Sequence, residues 1–237
     1  MSAEQEVPAE PAVRKSRAGR DLPAALVVGS ALAAAVVLTL IFWNWGFVLL
    51  VTAMLTVGTV ELHDALKRIG MNSAVWPIGA GTIAVMCGSY AATTQAGTAT
   101  VPWPAVLLGL LGATVLAALI VRMRGGSAGY VKDAAASLFT IGYIPLLGSF
   151  TGLILAAPNG AAKMATILLV VMGTDTGGYA VGARWGKHPM APQISPKKTW
   201  EGMGGSVALA SAVAVPLTIW WLNAAWWIGL VLALSIV

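Results

Sequence analysis

The chain reads as a succession of apolar runs separated by short polar connections. The runs cover about Leu22 to Ile41, Trp45 to Leu62, Ala74 to Ala92, Trp103 to Val121, Ala134 to Ala156, Ala162 to Gly182 and Met203 to Leu222. A helix that crosses a hydrocarbon layer needs roughly 20 apolar residues, and each of these seven runs is near that length. An eighth begins near Ala224 and still runs at Val237, so it is expected to be a span cut short. Membrane barrels alternate polar and apolar positions. Stretches such as Ala31 to Leu40 do not alternate, so the pattern predicts helices. The expected fold is an all-α, polytopic transmembrane bundle over residues 22–237, with seven full spans and a truncated eighth. Residues 1–21 are polar, with three glutamates followed by Arg14, Lys15, Arg17 and Arg20; they are expected to form a disordered cytoplasmic arm. The run after this arm is too long for the apolar core of a signal peptide, and further spans follow it.

Composition agrees with the pattern. Of 237 residues, 58% are hydrophobic and 10% are charged, against about 25% charged in soluble domains. Such a chain has too few charges to cover a globular surface in water. The single Cys87 excludes an internal disulfide and reads as a small buried apolar side chain. Small residues such as Gly109 and Gly112 are dense in the spans and allow close helix approach, and no short-period repeat is evident.

The net charge of +5 is accounted for by where the basic residues fall, without nucleic acid. With the arm in the cytoplasm, Lys67, Arg68, Arg122, Arg124, Lys132, Arg184, Lys187, Lys197 and Lys198 all lie in cytoplasmic connections. Lys163 alone lies on the other side. That asymmetry is the positive-inside pattern, and it predicts a multi-pass protein of the cell's inner (plasma) membrane with a cytoplasmic N-terminus. Eight of the ten tryptophans lie near predicted span ends, as in an aromatic belt; Trp185 and Trp200 lie in the polar connection instead.

That connection, residues 183–202, and its flanks hold the candidate chemistry. Asp175, Arg184, Lys187, Lys197, Lys198 and Glu201 fall between Gly173 and Gly205, with His188 among them. Asp175 lies inside the sixth run. A carboxylate in hydrocarbon costs several kcal/mol, so it should face a wet cavity, a cation or a basic partner, or else anchor structure by hydrogen bonds. Gly173, Gly177 and Gly178 beside it would let a ligand or another helix come close. Lys197 and Lys198 are compact cations suited to phosphate oxygens, or they merely obey the positive-inside pattern. Ser195 or Thr199 could cap the seventh helix and leave its N–H groups for an anion. Glu201 either orients a lysine or binds metal. His188 reads as a phosphate contact or a surface residue. Glu61, His63 and Asp64 either end the second helix in solvent or face the cavity of Asp175. Asp133 reads as an acid favoured by the helix dipole. There is no Walker A loop, no HExxH and no CxxC. On these residues alone a transporter with Asp175 as coupling site remains open.

The run D-T-G-G-Y-x-x-G-x-x-W-G-K-H-x-x-x-P-x-I-S-P-K-K-T-W-E-G, from Asp175 to Gly202, resembles the phosphatidate cytidylyltransferases, also called CDP-diacylglycerol synthases. The detailed match covers about thirty residues. The resemblance implies a nucleotidyltransferase of phospholipid biosynthesis. Its substrates would be CTP and phosphatidic acid, its products CDP-diacylglycerol and pyrophosphate, and its cofactor Mg2+. It implies catalytic roles for Lys197, Lys198 and Asp175 and substrate contacts from Ser195, Thr199, Arg184, Lys187 and His188. Metal would be held by Asp175 and Glu201. The family also carries a C-terminal signature of His-Gly-Gly and closely spaced aspartates, which does not occur before Val237. The expectation is therefore a truncated chain of impaired activity. A CTP-dependent polyprenol or phytol kinase is the related alternative, and a homodimer is left open.

Overall fold

The computed structural model describes residues 22–95, 101–193 and 195–237; the arm of residues 1–21 lies outside them. Eight helices follow the apolar runs: α1 (Leu22–Phe42), α2 (Asn44–Arg68), α3 (Val75–Thr94), α4 (Trp103–Met123), α5 (Tyr130–Ala156), α6 (Gly160–Trp185), α7 (Trp200–Trp220) and α8 (Trp226–Ile236). Between α6 and α7 stands a two-stranded antiparallel hairpin, β1 (Pro189–Ala191) and β2 (Ser195–Thr199). Among the described residues six helices, α2 to α7, are long and apolar enough to cross a membrane; Leu26–Phe42 and Trp226–Ile236 are shorter apolar stretches. The all-α membrane bundle expected from the apolar pattern is the fold observed. Exposed Leu, Val, Ile, Met and Trp side chains cover the outside of the bundle, as suits a protein with lipid as solvent.

The helices alternate in direction and bury three apolar clusters. Leu40, Phe47, Val48, Tyr90, Leu155 and Met164 join α1, α2, α3, α5 and α6 at the end away from the hairpin. Ile78, Ala118 and Ile141 join α3, α4 and α5. Val170, Ala210, Ala214 and Ala233 join α6, α7 and α8. A π-helical turn at Gly142–Leu146 absorbs Pro145 inside α5, where proline cannot donate to the preceding turn.

At the hairpin end a polar junction locks the connections. Gly70, at φ 75°, ends α2, with Met71 N donating to Leu66 O and Gly70 N to Lys67 O. This left-handed stop satisfies the last carbonyls of the helix and turns the chain toward α3. Asp133, in the first turn of α5, accepts from Asn72 N at 2.7 Å and from Arg122 Nε at 2.6 Å. Ala74 N donates to Ser137 Oγ at 3.0 Å, and Lys132 Nζ donates to Ile69 O at 3.3 Å. Asp133 and Arg122 retain only 8% and 14% of their side-chain exposure. Asp133 is thus a buried tie between the α2–α3 and α4–α5 connections, not merely an acid near a helix dipole.

The closest packing is between α6 and α7. A Cβ on Gly205 would lie 2.6 Å from Gly177 O, and one on Gly178 would lie 2.5 Å from Ser206 Oγ. Gly177 meets the Gly205 carbonyl in the same way, and Ser206 Oγ donates to Thr174 O at 2.8 Å. The glycines beside Asp175 therefore admit another helix, which is the small-residue packing that lipid solvent favours.

Two predictions follow from this packing. Gly205→Ala should lower stability in detergent by about 1–3 kcal/mol, the usual cost of overpacking. Gly204→Ala, where nothing lies within 4 Å, should be neutral or stabilising by up to about 1 kcal/mol through helix propensity. Thermal unfolding of both variants checks the seam, and equal behaviour would refute it. Asp133→Ala should cost about 3–5 kcal/mol, because it strands the Arg122 guanidinium and the Asn72 N–H; the same measurement reads it.

Candidate functional site

The run from Asp175 to Glu201 folds around the α6–α7 seam. Helix α6 continues past the predicted boundary to Trp185, and Arg184 lies against the Trp185 ring, 5.4 Å from its centroid. The chain then leaves at Gly186, where a Cβ would fall 2.8 Å from Thr199 Oγ1. Residues 187–199 double back as the hairpin. Pro189 pairs with Thr199 and Ala191 with Ser195, and the register shifts between the two pairs. Strands of three and five residues, rich in proline and lysine, carry no readable period, which is why the sequence pattern indicated only a loop.

Thr199 closes the unit. It is the N-cap of α7, and its Oγ1 accepts from Gly202 N at 3.1 Å. Of the two capping candidates, Thr199 fills the role and Ser195 sits at the start of β2. Glu201, in the first turn of α7, reaches back across the hairpin. Its Oε2 accepts from Lys187 N at 3.1 Å and His188 N at 3.2 Å, and its Oε1 lies 2.5 Å from His188 Nδ1. Both carboxylate oxygens are thus engaged within the hairpin. The carboxylate fixes the His188 ring by Nδ1 and leaves Nε2 toward solvent, with the side chain 78% exposed.

Lys187, Lys197 and Lys198 are exposed and make no ion pair with any described residue. They are unneutralised cations on a short rigid hairpin. Adjacent residues of an extended strand project to opposite faces. That alternation is not kept here: between the two pairs β1 advances two residues and β2 four, so Lys197 and Lys198 sit side by side in an irregular, bulged part of β2.

Asp175 lies ten residues before the end of α6, about 15 Å at the helical rise. It is exposed and makes no hydrogen bond or ion pair with any described residue. The anchoring role is therefore not observed. Its stripe is informative. Ala161, Met164, Ala165 and Leu168 pack into the cluster at the far end, and Met172, Asp175 and Tyr179 continue the same three-to-four spacing. Met172 and Tyr179 are exposed, Tyr179 by 80%. The stripe that docks α6 on the rest of the bundle in one half is open in the half near the hairpin. Among the described residues no group of three metal-binding side chains gathers anywhere. His63 is held to Ser73, its Nδ1 2.9 Å from Ser73 Oγ, while Glu61 and Asp64 stay exposed at the end of α2.

Fold and site together define a polytopic α-helical membrane protein that presents a basic hairpin beside an open, carboxylate-bearing helix face. The chain belongs to the cytidylyltransferase family, whose model matches residues 23–237. It is 32% identical over 244 residues to a phosphatidate cytidylyltransferase of Mycobacterium bovis, covering 96% of this chain and 76% of that relative. To the phosphatidate cytidylyltransferase of Mycobacterium leprae it is 31% identical, over 93% of this chain and 73% of the relative. A Pseudomonas aeruginosa phosphatidate cytidylyltransferase is 35% identical over 106 residues, 44% of this chain and 39% of the relative. No solved structure matches the chain.

The clasp generates its own test. Glu201→Ala should speed amide hydrogen exchange at Lys187 and His188 by about tenfold or more, because both N–H groups lose their acceptor. Exchange in the α6–α7 seam should stay slow. Unchanged exchange at Lys187 and His188 would show that the carboxylate does not hold the hairpin.

Proposed function

We infer that the protein transfers a cytidylyl group from CTP to phosphatidic acid, giving CDP-diacylglycerol and pyrophosphate in phospholipid biosynthesis. Family membership across nearly the whole chain supports a nucleotidyltransferase, and it favours this reading over a transporter or a polyprenol kinase. The structural observation that carries it is the hairpin. Its lysines pair with no described residue, and a hairpin that joins two spanning helices is placed to meet both a soluble nucleotide and a membrane-held phosphate.

A phosphate oxygen of phosphatidic acid attacks the α-phosphorus of CTP. The bond from that phosphorus to the β-phosphate bridging oxygen breaks, and pyrophosphate leaves. No covalent enzyme intermediate is required, so the protein's task is to bring two anions together and offset the charge that develops. Lys197 and Lys198, adjacent on β2, are the candidates for that role. Lys187 extends the positive surface, and Arg184 stands against Trp185 at the end of α6. His188, steadied by Glu201, offers Nε2 as a further contact to phosphate oxygen.

Magnesium enters on the chemistry of the donors. Asp175 supplies one carboxylate with no competing partner among the described residues, and Mg2+ commonly takes one or two carboxylates with substrate phosphates as further ligands. Glu201 is a poor second ligand, because His188 and two backbone N–H groups already occupy its oxygens. When bound, magnesium would neutralise triphosphate charge. We place the hairpin and the N-terminal arm on the cytoplasmic side of the inner membrane, since nine of the ten basic residues after residue 21 fall at the hairpin end of the helices.

With labelled CTP and phosphatidic acid in liposomes, a chain extended to carry the family's C-terminal aspartate signature should form labelled CDP-diacylglycerol; its absence from a folded extended chain would overturn the reading. Lys197→Ala should lower kcat/KM by about 10- to 150-fold, the loss of one charge-assisted contact. Lys198→Ala should cost a comparable amount, and Arg at either position should restore activity only in part. Full activity in the double alanine variant would leave the lysines with no role beyond orientation in the membrane.

A further inference from the structure

A cavity of about 510 Å³ opens at the end of the bundle opposite the hairpin. It lies where the start of α2, the end of α3 and the turn from α5 to α6 meet, and it is lined by Asn44, Tyr90, Asn159 and residues 160–162 among others. That volume falls within the range of about 300–1,000 Å³ typical of small-ligand sites. Three observations bear on what it takes.

The first is the start of α6. The first intrahelical bond runs from Lys163 N to Asn159 O, and Asn159, at φ 55°, gives no side-chain cap. The N–H groups of Gly160, Ala161 and Ala162 therefore have no backbone or side-chain acceptor among the described residues. They border the cavity at the positive end of a 26-residue helix. Gly160 is required there, since a Cβ would collide with the Leu155 carbonyl.

The second is Tyr90. The side chain is 95% buried, with 5% exposure, and its ring packs edge-on against Trp45 at 4.7 Å. It lines the cavity, and its hydroxyl makes no hydrogen bond with any described residue. That hydroxyl is not among the fully enclosed unpaired atoms, so it keeps accessible surface and is free to donate to an occupant of the cavity. The third is charge. The cavity lining holds no acidic side chain, and Lys163 is the only charged residue in the connections at this end of the helices.

We propose that this cavity is an anion site, separate from the hairpin, that binds the phosphate of a phosphate ester through the N–H groups of residues 160–162 and the Tyr90 hydroxyl. The Asn44 and Asn159 amides supply further neutral donors at the mouth. Backbone N–H groups at a helix start, backed by the helix dipole, are a recurrent way of holding phosphate. The ester is either the headgroup of a phospholipid, reached from the membrane interface, or a soluble organophosphate. The proposal stands on the far end of the bundle and does not depend on the catalytic reading of the hairpin.

The test uses the whole chain in detergent with Lys197→Ala and Lys198→Ala both present, which reduces the hairpin's anion response and leaves the Tyr90 comparison to assign what remains. Thermal unfolding is followed while phosphatidylglycerol, glycerol 3-phosphate or phosphate-free dioleoylglycerol is added. Phosphatidylglycerol or glycerol 3-phosphate should raise the midpoint and dioleoylglycerol should not. A response to the lipid alone identifies a headgroup, and a response to glycerol 3-phosphate identifies a soluble ester. Tyr90→Phe, which keeps the ring against Trp45, should weaken the apparent affinity by about five- to tenfold. Ala161→Pro, which removes one N–H in a turn that tolerates proline, should do the same. No phosphate-dependent shift, or an undiminished shift in Tyr90→Phe, would overturn the proposal.

Discussion

The structure near its candidate site depends on one constraint: α6 and α7 touch backbone to backbone. Gly177 and Gly205 each occupy the space that the other's Cβ would need, and Gly178 does the same toward Ser206. In lipid there is little hydrophobic gain from pressing two apolar helices together, so close van der Waals approach and cross-helix hydrogen bonds must hold them. Ser206 supplies such a bond to Thr174 O. Because the helices are this close, the hairpin between them is confined. Gly182 and Gly186 lie against Thr199, which in turn caps α7. The basic hairpin is therefore an outgrowth of the seam and inherits its position from it.

The seam also sorts the charges into those that build and those that remain free. Arg122 is spent on Asp133, and Glu201 is spent on His188 and the backbone before it. Lys187, Lys197 and Lys198 on the hairpin and Asp175 on α6 have no ion-pair partner among the described residues, as is also true of Glu61, Asp64, Lys67, Arg68, Arg124 and Lys163 elsewhere. Charges tied into the fold stabilise it and have little left for a ligand. Unpaired charges, in a chain with so few of them, are the groups a ligand could engage.

Much of this was legible in the sequence because lipid makes a strong demand. Every spanning helix must be long and apolar, so the spans emerge from run length alone. Thr199 as a cap was readable from its place before an apolar run. Other features were not. The Arg122–Asp133 tie joins residues across a connection, and helix propensity explained Asp133 without it. Glu201 finds its partner at His188, thirteen residues back, and only the hairpin brings them together. The role of Gly177 and Gly178 depends on which helix faces them, and the sequence left both a ligand and a helix open. Tyr90 offered no signal at all, since an aromatic residue near a span end reads as an interface anchor.

Asp175 is where sequence and structure bear most directly on one another. Sequence placed a carboxylate inside a membrane helix, and structure places it on an outward stripe without a partner among the described residues. A charged side chain at the centre of a bilayer costs about 2.5–3.5 kcal/mol or more, and snorkelling relieves that cost chiefly for long side chains near an interface. Asp175 is short and lies about 15 Å from the helix end. Burial of Ala161 and Leu168 on the same stripe shows that this face is suited to packing, yet it stops packing where the carboxylate begins. Hydrocarbon is therefore not the medium that the stripe is built to meet. Water, a cation or a charged ligand would relieve the cost of that carboxylate, whereas the lysines at the hairpin end are also accounted for by the positive-inside pattern.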